Sequence, residues 1–147
     1  MLVIGYGDVL RRDDGIGQRV ATQLSERPTV EHVDIVLCHQ LTPELAEPIS
    51  RACHVLFIDA AIGGEPGNVT IASIDPMPAT VALTHHVTPE ALLALAHEWY
   101  CKAPNGTLIT VCGETFGYGN DLSPTLEKRL PEIVDWIEQG LMLAKTV

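Results

Sequence analysis

Short apolar runs, each ending at a turn residue, alternate along the chain with segments whose apolar side chains recur at helical spacing. The runs predict five strands, at residues 1 to 5, 33 to 39, 54 to 60, 68 to 73 and 107 to 113. The helical spacing predicts four helices, from about 13 to 28, 43 to 51, 89 to 100 and 124 to 141. Pro43 and Pro124 suit the first position of a helix, whereas Pro131 would kink the last helix or split it in two.

The alternation of strands and helices predicts a three-layer α/β fold. Consecutive parallel strands need a crossover connection, which a helix supplies, so the sheet should be mostly parallel with helices on both faces. The fourth run follows the turn sequence GGEPG and alternates apolar with polar residues, which is typical of an antiparallel edge strand. No repeat, linker or low-complexity tract interrupts residues 1 to 147, so we expect one domain around a five-stranded sheet.

Composition and charge limit the possible partners. Apolar residues make up 46% of the 147 residues and charged residues 19%, as in a globular protein. The formal net charge is -10 and no stretch gathers Lys and Arg, which argues against nucleic acid as a partner. No segment resembles a membrane span, and the opening residues lack the basic leader of a signal peptide, so we expect a cytoplasmic protein.

The four cysteines are too widely spaced for a metal-binding or redox motif. They form no CxxC pair, and three of them, Cys38, Cys53 and Cys112, lie in or beside apolar segments. We therefore expect reduced, buried thiols rather than a zinc or iron-sulfur site.

Candidate chemistry gathers where three predicted strands end. Asp13 and Asp14 follow the first strand, Asp59 closes the third, and the sequence THH at 84 to 86 comes just before the third helix. In open parallel sheets, functional groups lie beyond the carboxyl ends of the strands, so folding should bring these residues together. Two carboxylates and an imidazole from three loops would form a metal site with open coordination positions.

Each of these residues also has a simpler interpretation. Asp13 or Asp14 could be a helix cap worth about 1 kcal/mol, and His85 and His86 could be turn residues. Asp59 interrupts an apolar run, so its burial requires loop N–H groups, a partner or a metal. The glycines of GYGDVLRRDDGIG suggest a dinucleotide site, but Leu10 stands where the third glycine should be, and a GxSxG hydrolase motif is absent from the sequence.

Five segments together resemble the hydrogenase maturation endopeptidases, which trim the C-terminus of a nickel-iron hydrogenase large subunit after nickel loading. The opening GYGDVLRRDDGIG at 5 to 17 is similar to the family pattern GxGNxLxxDDGxG. The other segments are HQLTPELAE at 39 to 47, IDAAIGGEPGNV at 58 to 69, THHVTPEALLALAHEWY at 84 to 100 and GYGNDLSP at 117 to 124. The resemblance covers nearly the whole chain.

The resemblance implies a domain of this protease type over residues 1 to 147, with Asp14, Asp59 and His85 as both catalytic residues and metal ligands. His85 is preferred to His86 because the family histidine stands four positions before a proline, here Pro89. The implied metal is the nickel of the precursor, for which other divalent metals could substitute. One departure is Asp8, at a position where the family usually has asparagine.

The resemblance also implies a partner, the nickel-loaded large-subunit precursor of a hydrogenase. The segments HQLTPELA and TPEALLALA are most similar to the branch serving soluble, NAD-linked hydrogenases. Two further interpretations stay open: a non-catalytic chaperone that senses nickel loading of the precursor, and a small-molecule binding protein. Arg11 and Arg12, next to the expected site, could contact the precursor tail or be solvated surface charges. We expect a monomer.

Overall fold

A five-stranded sheet forms the centre of the molecule in the computed structural model, which describes residues 1–77 and 87–145. The strands are β1 (Leu2–Tyr6), β2 (Asp34–Cys38), β3 (His54–Ala61), β4 (Val69–Ile74) and β5 (Asn105–Cys112). Their order across the sheet is β2-β1-β3-β5-β4. β4 pairs antiparallel with β5 at one edge, and the remaining pairs are parallel. This arrangement confirms the predicted sheet and its antiparallel edge strand.

Helices cover both faces of the sheet. They are α1 (Ile16–Ser25), α2 (Ala46–Arg51), α3 (Pro89–Tyr100) and α4 (Pro124–Lys145). Alternate side chains of β1 and β3 enter opposite cores, as the two-residue period of a strand requires. Val3 and Ile58 pack with α1 and α4, whereas Ile4 and Phe57 pack with α2 and α3. The three-layer α/β fold predicted from the sequence is therefore confirmed.

The boundaries of several elements differ from the predictions. The first two helices begin with 3-10 turns, Arg12–Gly15 and Pro43–Leu45, and α1 ends at Ser25 rather than near 28. Strand β5 begins two residues early, because Asn105 and Gly106 continue the pairing with β3. By composition these two residues resemble a turn. The glycine here serves packing instead, since a Cβ on Gly106 would lie 2.9 Å from side-chain atoms of both Ile74 and Leu93.

Pro131 neither splits nor ends α4, which continues from Pro124 to Lys145. It lies on the exposed side of the helix, where water can hydrate the carbonyl that loses its amide partner. Ser123 caps this helix, since its hydroxyl accepts a hydrogen bond of 3.4 Å from the backbone N–H of Leu126.

The cysteines match the prediction only in part. All four lie in the described part of the chain, and each is free of a disulfide. Cys53 is exposed, although its apolar neighbours predicted burial, and Cys101 is exposed as well. Cys53 stands in the short connection before β3, outside the buried run itself. Among the described helices, none is long and apolar enough to cross a membrane.

Candidate active site

The loop after β1 folds into a compact unit around the carboxylate of Asp14. The backbone N–H of Asp8 donates a 2.8 Å hydrogen bond to Oδ2 of Asp14. The N–H of Arg11 donates to the carbonyl of Asp8, and the N–H of Asp14 donates to the carbonyl of Arg11. Asp14 is half-buried, so its carboxylate stays accessible at the carboxyl end of the sheet.

Glycines let this loop and α1 lie directly on the strand ends. Gly7 has a φ of +139°, and a Cβ there would come within 2.0 Å of the carbonyl oxygen of Asp14. A Cβ on Gly17 would come within 2.2 Å of the carbonyl oxygen of Ile58, the residue before Asp59. The glycines of the GYG and GIG sequences therefore permit the close approach that brings the Asp14 loop over β1 and β3.

Asp59 lies half-buried near the end of β3. Its Oδ1 accepts a 2.7 Å hydrogen bond from the backbone N–H of Ala60, and its carboxylate also accepts one from the hydroxyl of Tyr6. Burial raises the pKa of Asp59 above the usual aspartate range, and the charge of Asp14 raises it further against those two hydrogen bonds. Asp14 and Asp59 are therefore close enough to repel each other.

Tyr6 is a site residue that the sequence did not single out. Burial raises the pKa of its hydroxyl far above the usual value, and the charges of Asp59, Glu90 and Cys38 add to this effect. Tyr6 therefore remains protonated and donates to Asp59. The only available signal was a tyrosine at the last position of a buried strand, between the first two glycines of the motif.

Asp13, the neighbour of Asp14, has a structural role. It is fully buried, and its two carboxylate oxygens accept hydrogen bonds from the backbone N–H groups of Glu114, Thr115 and Ser123, at 2.7, 3.0 and 2.7 Å. Burial acts to raise its pKa, but these bonds outweigh burial, and the net shift is downward. The helix-cap interpretation fails for both aspartates, since neither the 3-10 turn nor α1 has a side-chain cap within the described residues.

Two polar residues beside Asp14 hold the neighbouring loops. The side-chain amide of Gln18 donates to the carbonyls of Gly7 and Cys38, at 2.8 and 3.0 Å, and so joins the ends of β1 and β2. Asp8, which replaces the family asparagine, accepts a 2.9 Å hydrogen bond from the N–H of Leu10. It also lies 3.8 Å from Nδ1 of His39. Asp8 therefore closes the turn through its own side chain, as an asparagine could.

The predicted histidine, His85, lies outside the described residues, as does His86. The described residues on either side of it meet at the beginning of α3: the N–H of Met77 donates to the carbonyl of Glu90, at 3.0 Å. Thr88 caps this helix by accepting from the N–H of Ala91. Because the charge of Glu90 contributes to the raised pKa of Tyr6, the first turn of α3 lies near the Tyr6–Asp59 pair.

The chemistry of the pair fits a divalent cation. Two carboxylates that repel each other at an accessible sheet edge would gain from a cation between them. Within residues 1–77 and 87–145, no group of three His, Cys, Asp or Glu side chains is arranged to hold a metal. A complete site would therefore need a further ligand, which is the part predicted for His85.

The fold and the carboxylate pair define a three-layer α/β protein with its candidate site at the carboxyl edge of the sheet. Solved structures with this fold include the hydrogenase maturating endopeptidase HybD from E. coli, with 26% identity and a TM-score of 0.73, covering 97% of this chain and 92% of that one. An endopeptidase from Escherichia coli has 26% identity and a TM-score of 0.69, covering 92% and 88%.

A third similar structure is the [NiFe] hydrogenase maturation protease HycI from Thermococcus kodakarensis KOD1. It has 24% identity and a TM-score of 0.70, covering 94% of this chain and 89% of that one. No protein-family model matches the chain, and the search of curated proteins found no match. The two structures at 26% identity confirm the resemblance to hydrogenase maturation endopeptidases and the class of enzyme, a peptide hydrolase.

Proposed function

We propose that this protein is a nickel-dependent endopeptidase that removes the C-terminal extension of a nickel-iron hydrogenase large-subunit precursor. The observation that supports the proposal is that Asp14 and Asp59, at the carboxyl edge of this fold, are near enough for the charge of Asp14 to raise the pKa of Asp59. Structures named as [NiFe] hydrogenase maturation proteases share this fold over most of the chain. The substrate would be the nickel-loaded precursor, with its own nickel as the recognition signal.

Asp14, Asp59 and His85 would hold the metal. Support for His85 comes from its flanks, since Glu90 in the first turn of α3 is near enough to Tyr6 to affect its pKa. Other divalent metals could take the place of nickel at such a site, because carboxylate and imidazole ligands bind several of them. When bound, the metal supplies Lewis-acid polarisation at the scissile peptide bond.

The side chains of this chain would perform the remaining chemistry. The oxygen of Asp59 that does not bind the metal would accept a proton from an attacking water, and burial, which raises the pKa of this carboxyl, favours that role. The protonated hydroxyl of Tyr6 orients the Asp59 carboxylate. The N–H of Asp8 fixes Asp14, so that both carboxylates are positioned before substrate binds.

Two finer parts of the proposal concern substrate and setting. The HQLTPELA and TPEALLALA segments favour the precursor of a soluble, NAD-linked hydrogenase, and such a substrate would place the enzyme in the cytoplasm. We further propose that the enzyme acts as a monomer. Size-exclusion chromatography with light scattering tests the oligomeric state directly.

The test is a processing assay with purified nickel-loaded precursor. Wild-type protein should release the C-terminal peptide, whereas Asp14→Ala, Asp59→Ala and His85→Ala variants should lose at least about a hundredfold in rate, the effect usual for a catalytic ligand. Arg51→Ala, at the end of α2, is the control and should process normally. Full-rate processing by the three site variants would overturn the mechanism.

A non-catalytic chaperone that senses nickel loading would use the same fold and ligands. Mass spectrometry of the precursor after incubation separates the two functions. An endopeptidase shortens the precursor, whereas a chaperone binds it and leaves its mass unchanged.

A further inference from the structure

Backbone hydrogen bonds join the loop after β1 to the loop after β5 at the candidate site. The N–H of Arg12 donates to the carbonyl of Gly119 at 3.0 Å, and the N–H of Gly119 donates to the carbonyl of Leu10 at 2.9 Å. The Nε of Arg11 donates to the carbonyl of Phe116 at 3.2 Å. The GYGND sequence is therefore fixed against the loop that carries Asp14, although the two are about a hundred residues apart in the chain.

This junction holds the two arginines in defined positions at the surface. The guanidinium of Arg11 lies 6.0 Å from the ring centre of Tyr118, which is 90% exposed. Arg12 has a left-handed φ of 49°, uncommon for a residue with a side chain. A Cβ on Gly119 would come within 2.9 Å of Nε of Arg12, so the glycine leaves room for that side chain. Such a constrained backbone is more typical of functional loops than of free surface.

Arg11 and Arg12 differ from the other arginines in the ion pairs that the described residues form. Four of the six arginines pair with carboxylates: Arg19 with Glu127, Arg27 with Asp135 and Glu138, Arg51 with Glu47, and Arg129 with Glu132. Within the described residues, neither Arg11 nor Arg12 has such an ion pair, in a chain with 19 acidic and 9 basic side chains. The segments outside the described residues, PATVALTHH at 78 to 86 and TV at 146 to 147, contain no Asp or Glu side chain.

Exposed apolar surface lies next to the arginines. Leu10 is 62% exposed and precedes Arg11, and the ring of Tyr118 stands beside the guanidinium. Arginine with adjacent aromatic and aliphatic surface is a common composition of polypeptide-binding sites. Guanidinium groups bind carboxylates through paired, directional hydrogen bonds.

We propose that Arg11, Arg12 and Tyr118, here called the basic rim, bind a carboxylate on the polypeptide segment presented for cleavage. This inference rests on the proposed function and adds a specificity element to it. The carboxylate is either an acidic side chain beside the scissile bond or the C-terminal carboxylate of the extension. Arg11 and Arg12 precede Asp14 by three and two residues, so the rim would engage the substrate close to the reacting bond.

The test is peptide binding by the full-length enzyme. The probe is a fluorescein-labelled synthetic peptide that spans the cleavage point and extension of the hydrogenase large subunit encoded in the same genome. Arg11→Gln/Arg12→Gln should weaken binding about tenfold and increase KM for precursor processing by a similar factor, with kcat unchanged. The matched control, Arg19→Gln/Arg51→Gln, also removes two positive charges and should bind the peptide like wild type.

Two modified peptides identify the source of the carboxylate. A C-terminal amide tests the terminal carboxylate, and replacement of Asp and Glu by Asn and Gln tests the side chains. One of them should weaken binding to wild type as much as the double arginine substitution does. Undiminished binding of both would overturn the proposal, as would equal losses in the rim and control variants or no peptide binding by wild type.

Failure of the rim and failure of the proposed function give different results. If wild type cleaves the nickel-loaded precursor and the rim variant has the KM and peptide affinity of the control, only the rim proposal fails. If the arginines bind the peptide but the precursor keeps its mass, the endopeptidase function fails instead. Thermal unfolding of each variant checks that a loss of binding is not a loss of folding.

Discussion

Asp13 and Asp14 are adjacent in the chain, but their carboxylates lie in different surroundings. Asp13 is fully buried and accepts from three backbone N–H groups, whereas Asp14 is half-buried and accepts from one N–H group of the described residues. A buried carboxylate with this many donors stabilises the segments that carry them, here the loop after β5 and the beginning of α4. A half-buried one with free lone pairs can bind a ligand.

Replacing Asp13 with alanine should therefore lower stability strongly. Three N–H groups would lose their acceptor, and the bond from Ser123 among them is buried, which should reduce the free energy of unfolding by about 3 kcal/mol at pH 7. Because the pKa of Asp13 is lowered in the folded state, its contribution is present above the unfolded pKa and is lost as the pH falls through the folded pKa. Urea unfolding between pH 3 and pH 7 measures both effects.

The control for this substitution is Asp121→Ala, which is exposed and lies in the loop after β5 that carries the partners of Asp13. It should change stability by less than about 0.5 kcal/mol, as surface substitutions usually do. Equal stability of the two variants would contradict the structural role of Asp13.

The role of Asp13 could not be predicted from the sequence, because its three partners are 101, 102 and 110 positions away. Local pattern offered a helix cap or a place among the candidate site residues, and neither interpretation involves these distant N–H groups. Asp59 was more informative, since a charge inside an apolar run requires a partner wherever it folds. Tyr6 gave no such signal, because a tyrosine at a strand end is compatible with packing alone.

At the scale of elements, the connection from β1 to α1 determines where the site forms. Helix α1 crosses the sheet so closely that Gly17 lies against the carbonyls of Tyr6 and Ile58. The carbonyl of Gly17 in turn faces Gly5, where a Cβ would come within 2.3 Å of it. The two glycines thus form a backbone-to-backbone contact between helix and sheet that no larger residue allows.

Gly17→Ala should therefore separate α1 from the sheet. The added Cβ would overlap backbone rather than a flexible side chain, so we expect a loss of about 3 kcal/mol in the free energy of unfolding. The matched control is Gly140→Ala in α4, where no atom lies within 4 Å of the added carbon. It should stabilise the protein by about 0.5 to 1 kcal/mol, since alanine favours helix. Thermal unfolding that gave both variants the same sign would contradict this packing.

The order of elements could be predicted because hydrophobic periodicity changes clearly between strands and helices along this chain. The boundaries of the strands and helices were harder to predict. Strand β5 begins at Asn105, and the asparagine and glycine there resemble a turn until the neighbouring β3 provides hydrogen-bond partners. Tertiary pairing determined that boundary, and local composition could not reveal it.

At the scale of the whole molecule, the candidate site gathers negative charge in a protein that is already acidic. The net charge is -10, and Asp14 and Asp59 lie at the same edge of the sheet, where the charge of Asp14 raises the pKa of Asp59. Such an arrangement opposes folding at neutral pH unless a cation binds there. The pair therefore represents stability given up for function, as is common at active sites.

Asp59→Asn should increase the free energy of unfolding of the whole protein at neutral pH while it abolishes activity. The pKa of Asp59 is raised in the folded state, so its charge is unfavourable at pH 7 and the penalty disappears below the unfolded pKa of about 4. Asparagine keeps an oxygen to accept from Ala60 and Tyr6. The variant should be more stable than wild type by about 1 kcal/mol at pH 7, equal to it below about pH 4, and inactive. Asp121→Asn is the control, and a variant less stable than wild type at pH 7 would show that Asp59 supports the fold.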